Sequence, residues 1–480
     1  MGSAAIVSLE EFKQAHIQVE ARRQLHERFD QWLDTLEEKM PEEKPTLEQL
    51  TQAVFEMRQE LTSTITETLV EQTHREGLSQ ETMACPHCGR SLSGRESSCR
   101  TVETMVGEIR LTRRYFYCVR CQKGFYPFDE ALELSQRRKQ WDIQKAGVRL
   151  ATELPYESAS ELFGQLTGLS LSDYSAHEVV GEVGVGLSVL DVSPPAEEIA
   201  QRVASVAEGK TWRPIVVLAV DGADVPTRPE SAKGRRPGRK HKRAKRARWH
   251  GQWREAKGFR FYLVDRQRII HLLSWHQVQS DQEVAAALRQ VKEAGLIPES
   301  DVRLCVVADG AKWIWKHVKI LFPSALEVLD YYHCSEHLHK VASVQFSDHP
   351  EKQIEWIEAT IAQLFCGQVH TLIEDLQLLE PTDTNAGEEI RKLVGYLTNN
   401  QNRVNYGSAR KGGYPIGSGA VESSNKFIGH VRLKRSGAWW YIDNANQILA
   451  LRCAKYNGTF DTVFEAYKHR AKPDSGKTSP

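Results

Sequence analysis

Apolar residues within the first eighty positions recur at helical spacing, in two runs separated by "PEEKP". In the second run Leu47, Leu50, Val54, Leu61, Ile65 and Leu69 lie three, four or seven apart, the repeat that lines one face of an α-helix. Thr46 and Gln49 form a capping-box signature at its start. Such a face meets a neighbouring helix, either in a helical hairpin or across a dimer contact. The period then shortens to two, and Val106, Ile109, Leu111, Tyr115 and Tyr117 alternate with polar residues as hairpin strands do. Helical patterning returns over 138–195. There "YESASELFGQLTGLSLSDYSAHEVVGEV" holds two runs joined at Thr167-Gly168, with Ser172 placed to cap the second. This resembles a helix-turn-helix, although glycine-joined helix pairs also occur in proteins that never touch DNA.

From residue 213 the pattern becomes α/β. "PIVVLAVDGADV" is a β-branched run ending in Asp221, as a fully buried strand would read. "GFRFYLVD" and "RIIHLLSWHQV" predict an antiparallel pair, and "DQEVAAALRQVKEAG" a helix stopped by glycine. "VRLCVVADG" and "ALEVLDYYH" predict a fourth and a fifth strand, ending in Asp309 and Asp330. Three strands, a helix and two more strands is the order of the ribonuclease H-like fold. In that fold the first and fourth strands are neighbours, so Asp221 and Asp309 are expected at adjacent strand ends, with Asp330 one strand further out. A third carboxylate then has to come from a later helix. "GYPIGSGAVESSNKFIGHVRLKRSGAWW" offers Glu422, with Lys426 one turn on and on the same face, where it can reach a phosphate.

Composition narrows the class. A chain of 480 residues, 40% hydrophobic and 26% charged, reads as multidomain and globular. No apolar run approaches the roughly 18 residues that span a bilayer, and the N-terminus lacks the layout of a signal peptide, so a cytoplasmic, nucleoid-associated protein with no membrane partner is expected. The formal net charge is zero, but "GRRPGRKHKRAKRAR" concentrates Arg235, Arg236, Arg239, Lys240, Lys242, Arg243, Lys245, Arg246 and Arg248 without one acid. Like charges at that density repel and do not fold on themselves. The tract is read either as a solvated linker or address, or as a flexible mount that neutralises DNA phosphates. Arg432 and Lys434 are further candidates for phosphate contact, against the plainer reading of exposed cations at a helix end. Trp439 and Trp440 either stack on a distorted base or close the core.

Nine cysteines, four of them in two C-x-x-C pairs, suit a reducing compartment and a metal better than disulfides. Cys85, Cys88, Cys118 and Cys121 form the four-sulfur set of a structural Zn2+ ribbon. The gap between the pairs is about ten residues longer than the commonest spacing, which a long hairpin absorbs. His87 and Cys99 are assigned no ligand role.

The set "VDGADVP", "VVADGAKWIW", "LDYYHCSEHLHK" and "PIGSGAVESSNKFIGHVRLKRSGAWW" resembles the DDE transposases of bacterial insertion sequences. It looks most like the ISKra-type family, distantly similar to Mutator-like enzymes, and the resemblance runs from the cysteine pairs to about residue 470. It implies Asp221, Asp309 and Glu422 as a catalytic triad holding Mg2+ or Mn2+, with Asp330 and His333 as an accessory element. It further implies double-stranded DNA as partner, both element ends and target, bound by a homodimer or higher homo-oligomer. Three carboxylates are the hard oxygen donors such ions prefer. The expected organisation is a helical hairpin or dimerisation region at 1–80, a zinc ribbon at 81–130 and a helix-turn-helix-like DNA-binding domain at 131–205. A ribonuclease H-like core follows in two parts, 206–345 with a basic loop at 228–257, and 406–470. The two parts are split by a helical insertion at 346–405, and a disordered tail closes the chain at 471–480. A ribonuclease H-like nuclease or resolvase without joining activity, and a binding-only domesticated regulator, are the alternatives.

Overall fold

The computed structural model describes residues 9–40, 44–75, 77, 80–230, 250–266 and 268–472. The chain divides into two compact units, Met1–Glu182 with Phe464–Pro480, and Val183–Val463. Among the described residues no helix is long and apolar enough to cross a membrane.

In the first unit α1 (Leu9–Glu38) and α2 (Leu47–Thr73) form a helical hairpin. The capping box is present: the Thr46 hydroxyl accepts from the Gln49 amide, and the Gln49 side chain accepts from the Thr46 amide. The expected apolar stripe is only partly covered, since Leu47, Val54 and Leu69 stay exposed while Met57 is buried. The reason is that α2 serves two neighbours, lying on α1 and on a long β-hairpin, and neither lies along the whole of that stripe. The strands of the cysteine-rich region are β1 (Thr82–Ala84), β2 (Ser91–Ser93), β3 (Ser97–Thr104), β4 (Gly107–Arg114), β5 (Phe116–Cys118) and β6 (Lys123–Phe125). β3 and β4 are the hairpin that fills the long gap between cysteine pairs, and Val102, Ile109 and Leu111 bury its inner face against Phe128 and Val70. Then come α3 (Pro127–Ala131), α4 (Trp141–Glu153), α5 (Tyr156–Thr167) and α6 (Asp173–Gly184). Gly168 ends α5 in the left-handed conformation (φ 67°), and the Ser172 hydroxyl accepts from the Ser175 amide at the start of α6. Ile143, Phe163, Leu171 and Ala176 are the common core of α4 to α6. The division between units falls within the segment 131–205, and the chain beyond it buries Val183, Val189 and Val192.

The second unit begins with α7 (Ala196–Ala207) and is built on a sheet of β7 (Ile215–Thr227), β8 (Gln252–Asp265), β9 (Arg268–Val278), β10 (Arg303–Ala308) and β11 (Leu326–Leu329). The spatial order is β11-β10-β7-β8-β9. β7, β8 and β9 form an antiparallel meander, while β10 lies parallel to β7 and β11 parallel to β10. α8 (Asp281–Glu293) and α9 (Lys312–Leu321) are the crossovers before and after β10. β9, α8 and the ends of β10 and β11 agree with the sequence reading. β7 and β8 do not: β7 continues six residues beyond Asp221, and β8 starts six residues before Gly258. These extensions pair with each other, and at Ala256 and Lys257 the β8 extension pairs with β9 as well. Trp440 clamps them, donating its amide to Pro226 O (3.0 Å) and accepting at its carbonyl from the Arg228 amide (2.9 Å). The segment expected as a loop over 228–257 is shortened accordingly, and the nine cations 235–248 lie outside the described residues.

After β11 the chain runs through α10 (Tyr331–Gln345), α11 (Pro350–Phe365), α12 (Val369–Leu378), α13 (Thr384–Asn400) and α14 (Tyr406–Lys411), the helical stretch expected between the core segments. It returns through α15 (Gly419–Ser424), a π-helical turn (Asn425–His430) and α16 (Val431–Leu433) to α17 (Ile442–Asn457), which lies along β9; α18 (Phe460–Ala471) is the last helix among the described residues.

Buried polar groups dock α17 on the sheet. The Asn457 carboxamide accepts from the Ser274 amide (2.8 Å), bonds the His271 ring (2.9 Å) and donates to Ser274 O and Val192 O. Asn457→Ala leaves several of these groups unsatisfied, and urea denaturation is expected to show a loss of about 3 kcal/mol.

Candidate functional site

Two clusters of chemistry-bearing residues stand out, one in each unit. In the first, the Sγ atoms of Cys85, Cys88, Cys118 and Cys121 all lie within 4.8 Å of one another. Cys85 opens a turn in which its carbonyl accepts from Gly89 and its amide donates to Arg90 O, and Gly89 supplies the left-handed φ of 68° the turn needs. Leu92, Phe116, Met83 and Phe125 pack around the sulfurs, a core too small to hold a ribbon alone. The Cys121 amide hydrogen bond pulls the Cys118 thiol down to about 7. Cys121 is pushed up to about 12, chiefly by its hydrogen bond with Cys88. A closed four-sulfur set of this kind fits Zn2+. The spare residues stay apart from it, and Cys99 is exposed on β3.

The acids belong to the second unit. The parallel pairing of β7 with β10 ends at Val220 and Ala308, so Asp221 and Asp309 are the next residues on adjacent strands. β7 continues with β8 while β10 gives way to α9, so the two strands part beyond this rung. Asp221 accepts from its neighbour's amide, Gly222, at Oδ1 (2.8 Å) and from the Asn425 side chain at Oδ2 (2.7 Å). Asp309 Oδ1 accepts from the Ala311 amide (2.9 Å). Burial pushes the Asp221 carboxyl up to about 6; the negative charges of Asp309 and Glu422 add to the rise, and the Gly222 amide and His333 oppose it. Three separate elements thus act on one carboxylate. Among the described residues the four-cysteine cluster is the only group of three or more potential ligands gathered closely enough to hold an ion as it stands, and Asp221, Asp309 and Glu422 do not form such a group. As a donor set, three carboxylates with unused lone pairs fit a hard divalent cation.

Asp330 is built differently. It is fully buried, caps α10 through Oδ1 with the Tyr332 amide (2.6 Å), and accepts at Oδ2 from the Ser418 amide (3.0 Å). Both oxygens are therefore engaged, Oδ1 in capping α10 and Oδ2 in holding the glycine-serine segment. Gly417 lies close under the Tyr332 ring, and a Cβ there would fall 2.6 Å from it, so a larger residue would have to displace that ring. The Ser418 hydroxyl then bonds Glu422 Oε1 (3.0 Å), so the buried cap reaches the third acid through one side chain.

Glu422 and Lys426 are both exposed along α15 and the π turn. Arg432 corrects the sequence reading: it is 3% exposed, with its guanidinium over the Trp440 ring at 4.9 Å, because the chain folds back between them. It is neither an exposed cation nor a phosphate contact in this arrangement. Lys434 is exposed, 6.0 Å above the Trp253 ring, and Trp253 in turn lies 6.1 Å from Trp439. Trp440 is a core residue, donating its indole N–H to Leu433 O (3.1 Å). Sequence reasoning missed Asn425, Ser418 and His276. Asn425 lies three residues after Glu422, a helical spacing that marks a shared face; His276 needs the strand register to be noticed at all.

The family model described as uncharacterised protein family UPF0236 matches residues 42–469, and the chain belongs to that family. The search of curated proteins finds no match. Among solved structures the chain is similar to the Drosophila P element transposase strand transfer complex, at 11% identity over 70% of this chain and 81% of that one, with a TM-score of 0.23, too distant to place the fold.

Two measurements check these sites. Metal analysis is expected to find about one zinc per chain, and Cys85→Ser or Cys118→Ser to lose it and loosen the ribbon. For Asp221, a folded-state pKa above the unfolded one stabilises the fold while the group is protonated, and that contribution is lost as pH rises through about 6. Asp221→Asn is therefore expected to exceed the wild type in stability by up to about 2 kcal/mol at pH 7.5 without Mg2+ or Mn2+. The margin shrinks toward pH 5; urea titration at several pH values reads it.

Proposed function

We propose that the chain is a DDE-type transposase of the ISKra kind, with a ribonuclease H-like core, that binds the ends of an insertion sequence, cleaves DNA and joins the freed 3′-hydroxyl to target DNA. The observation that carries this reading is the shared rung: two aspartates leave adjacent parallel strands side by side, and a third carboxylate from a distant helix acts on the first of them. The strand order supports the core assignment, since a meander of three strands followed by two parallel ones is what that fold requires.

Asp221, Asp309 and Glu422 would hold Mg2+ or Mn2+. When bound, such ions stabilise the charge that develops on the attacking and leaving oxygens of an in-line phosphoryl displacement. The protein's own part is to hold the three carboxylates in one crevice, to keep Asp330 occupied as a cap, and to bring cations to the DNA backbone. Lys426 is exposed one turn from the third acid, Lys434 is exposed over the Trp253 ring, and the 235–248 tract supplies sequence-independent attraction to phosphates. The zinc ribbon and the Tyr156–Gly184 helix pair are the parts proposed to recognise element ends, as a dimer or larger assembly on DNA.

The experiment is a strand-transfer assay with candidate element ends in Mg2+ or Mn2+. Asp221→Asn, Asp309→Asn and Glu422→Gln are each expected to abolish cleavage and joining while end binding survives. Asp330→Asn keeps at least partial activity. Cleavage without joining by the wild type would favour the nuclease reading, and end binding unaffected by all three substitutions with no cleavage by the wild type would favour the regulator.

A further inference from the structure

Asp221, Gly258 and His276 occupy one rung across three strands, Asp221 paired with Gly258 and Gly258 with His276. Gly258 carries no side chain, and a Cβ there would fall 2.2 Å from His276 Cδ2, so the imidazole occupies the space above the middle strand. His276 is 2% exposed, and Asn425, from the first position of the π turn, is 4% exposed. Asn425 Nδ2 donates to Asp221 Oδ2 at 2.7 Å.

That single bond fixes the rest of the arrangement. An ionised carboxylate only accepts, so the amide must turn its NH2 to Asp221 and its Oδ1 away. Oδ1 is buried without a hydrogen-bond partner, and so are both ring nitrogens of His276. Burial drives His276 down to about 3, with the Asn425 side chain the largest opposing influence, so the ring is neutral and offers one N–H. Asn425 Oδ1 and the His276 N–H are thus complementary groups left facing the same buried space. The π turn that delivers Asn425 has its own carbonyls tied down, Phe427 O and Ile428 O accepting from Arg452 Nε at 3.1 and 2.8 Å. A distorted helical turn secured in this way is a common feature of functional sites.

We infer that Asn425 is a positioning residue for Asp221, backed by His276, and that it leaves the carboxylate's remaining lone pairs turned to a divalent cation. The inference rests on the reading of Asp221 as a metal ligand. A carboxylate has about four lone-pair sites; the Asn425 and Gly222 donors take one on each oxygen and orient the others. Removing an orienting partner of this kind commonly costs 10- to 100-fold in metal affinity.

The test is Mn2+ binding to the zinc-loaded full-length protein without DNA, followed by electron paramagnetic resonance of the free ion. Asp221→Asn is expected to abolish the tightest Mn2+ site. Asn425→Ala and Asn425→Leu are each expected to weaken it about tenfold, the leucine variant retaining side-chain volume and a melting temperature near that of the wild type. A purely structural role would move the melting temperature and not the affinity at equal folded population. Wild-type Mn2+ affinity in both Asn425 variants, beside its loss in Asp221→Asn, would overturn the inference alone. Wild-type affinity in Asp221→Asn would instead overturn the metal reading on which it stands.

Discussion

The second unit depends on one constraint, the parallel pairing of Ile215–Val220 with Arg303–Ala308. Six consecutive rungs, apolar and buried on both strands at all but the Arg303 end, fix the register, because a slip of one residue would turn every side chain to the other face. With that register set, Asp221 and Asp309 have to emerge together. The cost is visible in the raised pKa of Asp221, which carries burial and the charges of two other acids at once. Such a cost is retained where a site works on charge.

Bringing Glu422 to this place is a longer-range problem, solved by buried hydrogen bonds rather than by apolar area. Arg260 on β8 donates to Ala420 O (2.7 Å), the hydroxyls of Ser274 and Ser424 meet at 3.1 Å, and Asn425 binds Asp221. From the other side Asp330 holds Ser418, which holds Glu422. Each contact is directional, so together they specify the orientation of a six-residue helix that has too few apolar residues to set it alone.

The elements most legible in the sequence were those whose stability is local. β9, β10 and β11 are short apolar runs ended by turn residues, α8 carries its own capping box at Ser280 and Glu283, and the cysteine pairs announce their cluster. The β7–β8 extension was not legible, because residues 222–227 and 252–257 are of mixed polarity and owe their strand form to each other, to β9 at Ala256 and Lys257, and to the Trp440 clamp. Arg432 read as a surface cation because nothing local shows that the chain will fold Trp440 over it. The bond between Asn425 and Asp221 joins positions 204 apart, and His276 enters only through the register of three strands. Contacts of that range follow from the finished fold and leave no periodic trace.

The most direct test of the account is anomalous diffraction from crystals grown with Mn2+ and a short DNA end. The account predicts manganese bound by Asp221, Asp309 and Glu422, with Asp330 still bonded to the Ser418 amide. Manganese bound elsewhere, or held by Asp330 in place of Asp309, would contradict it.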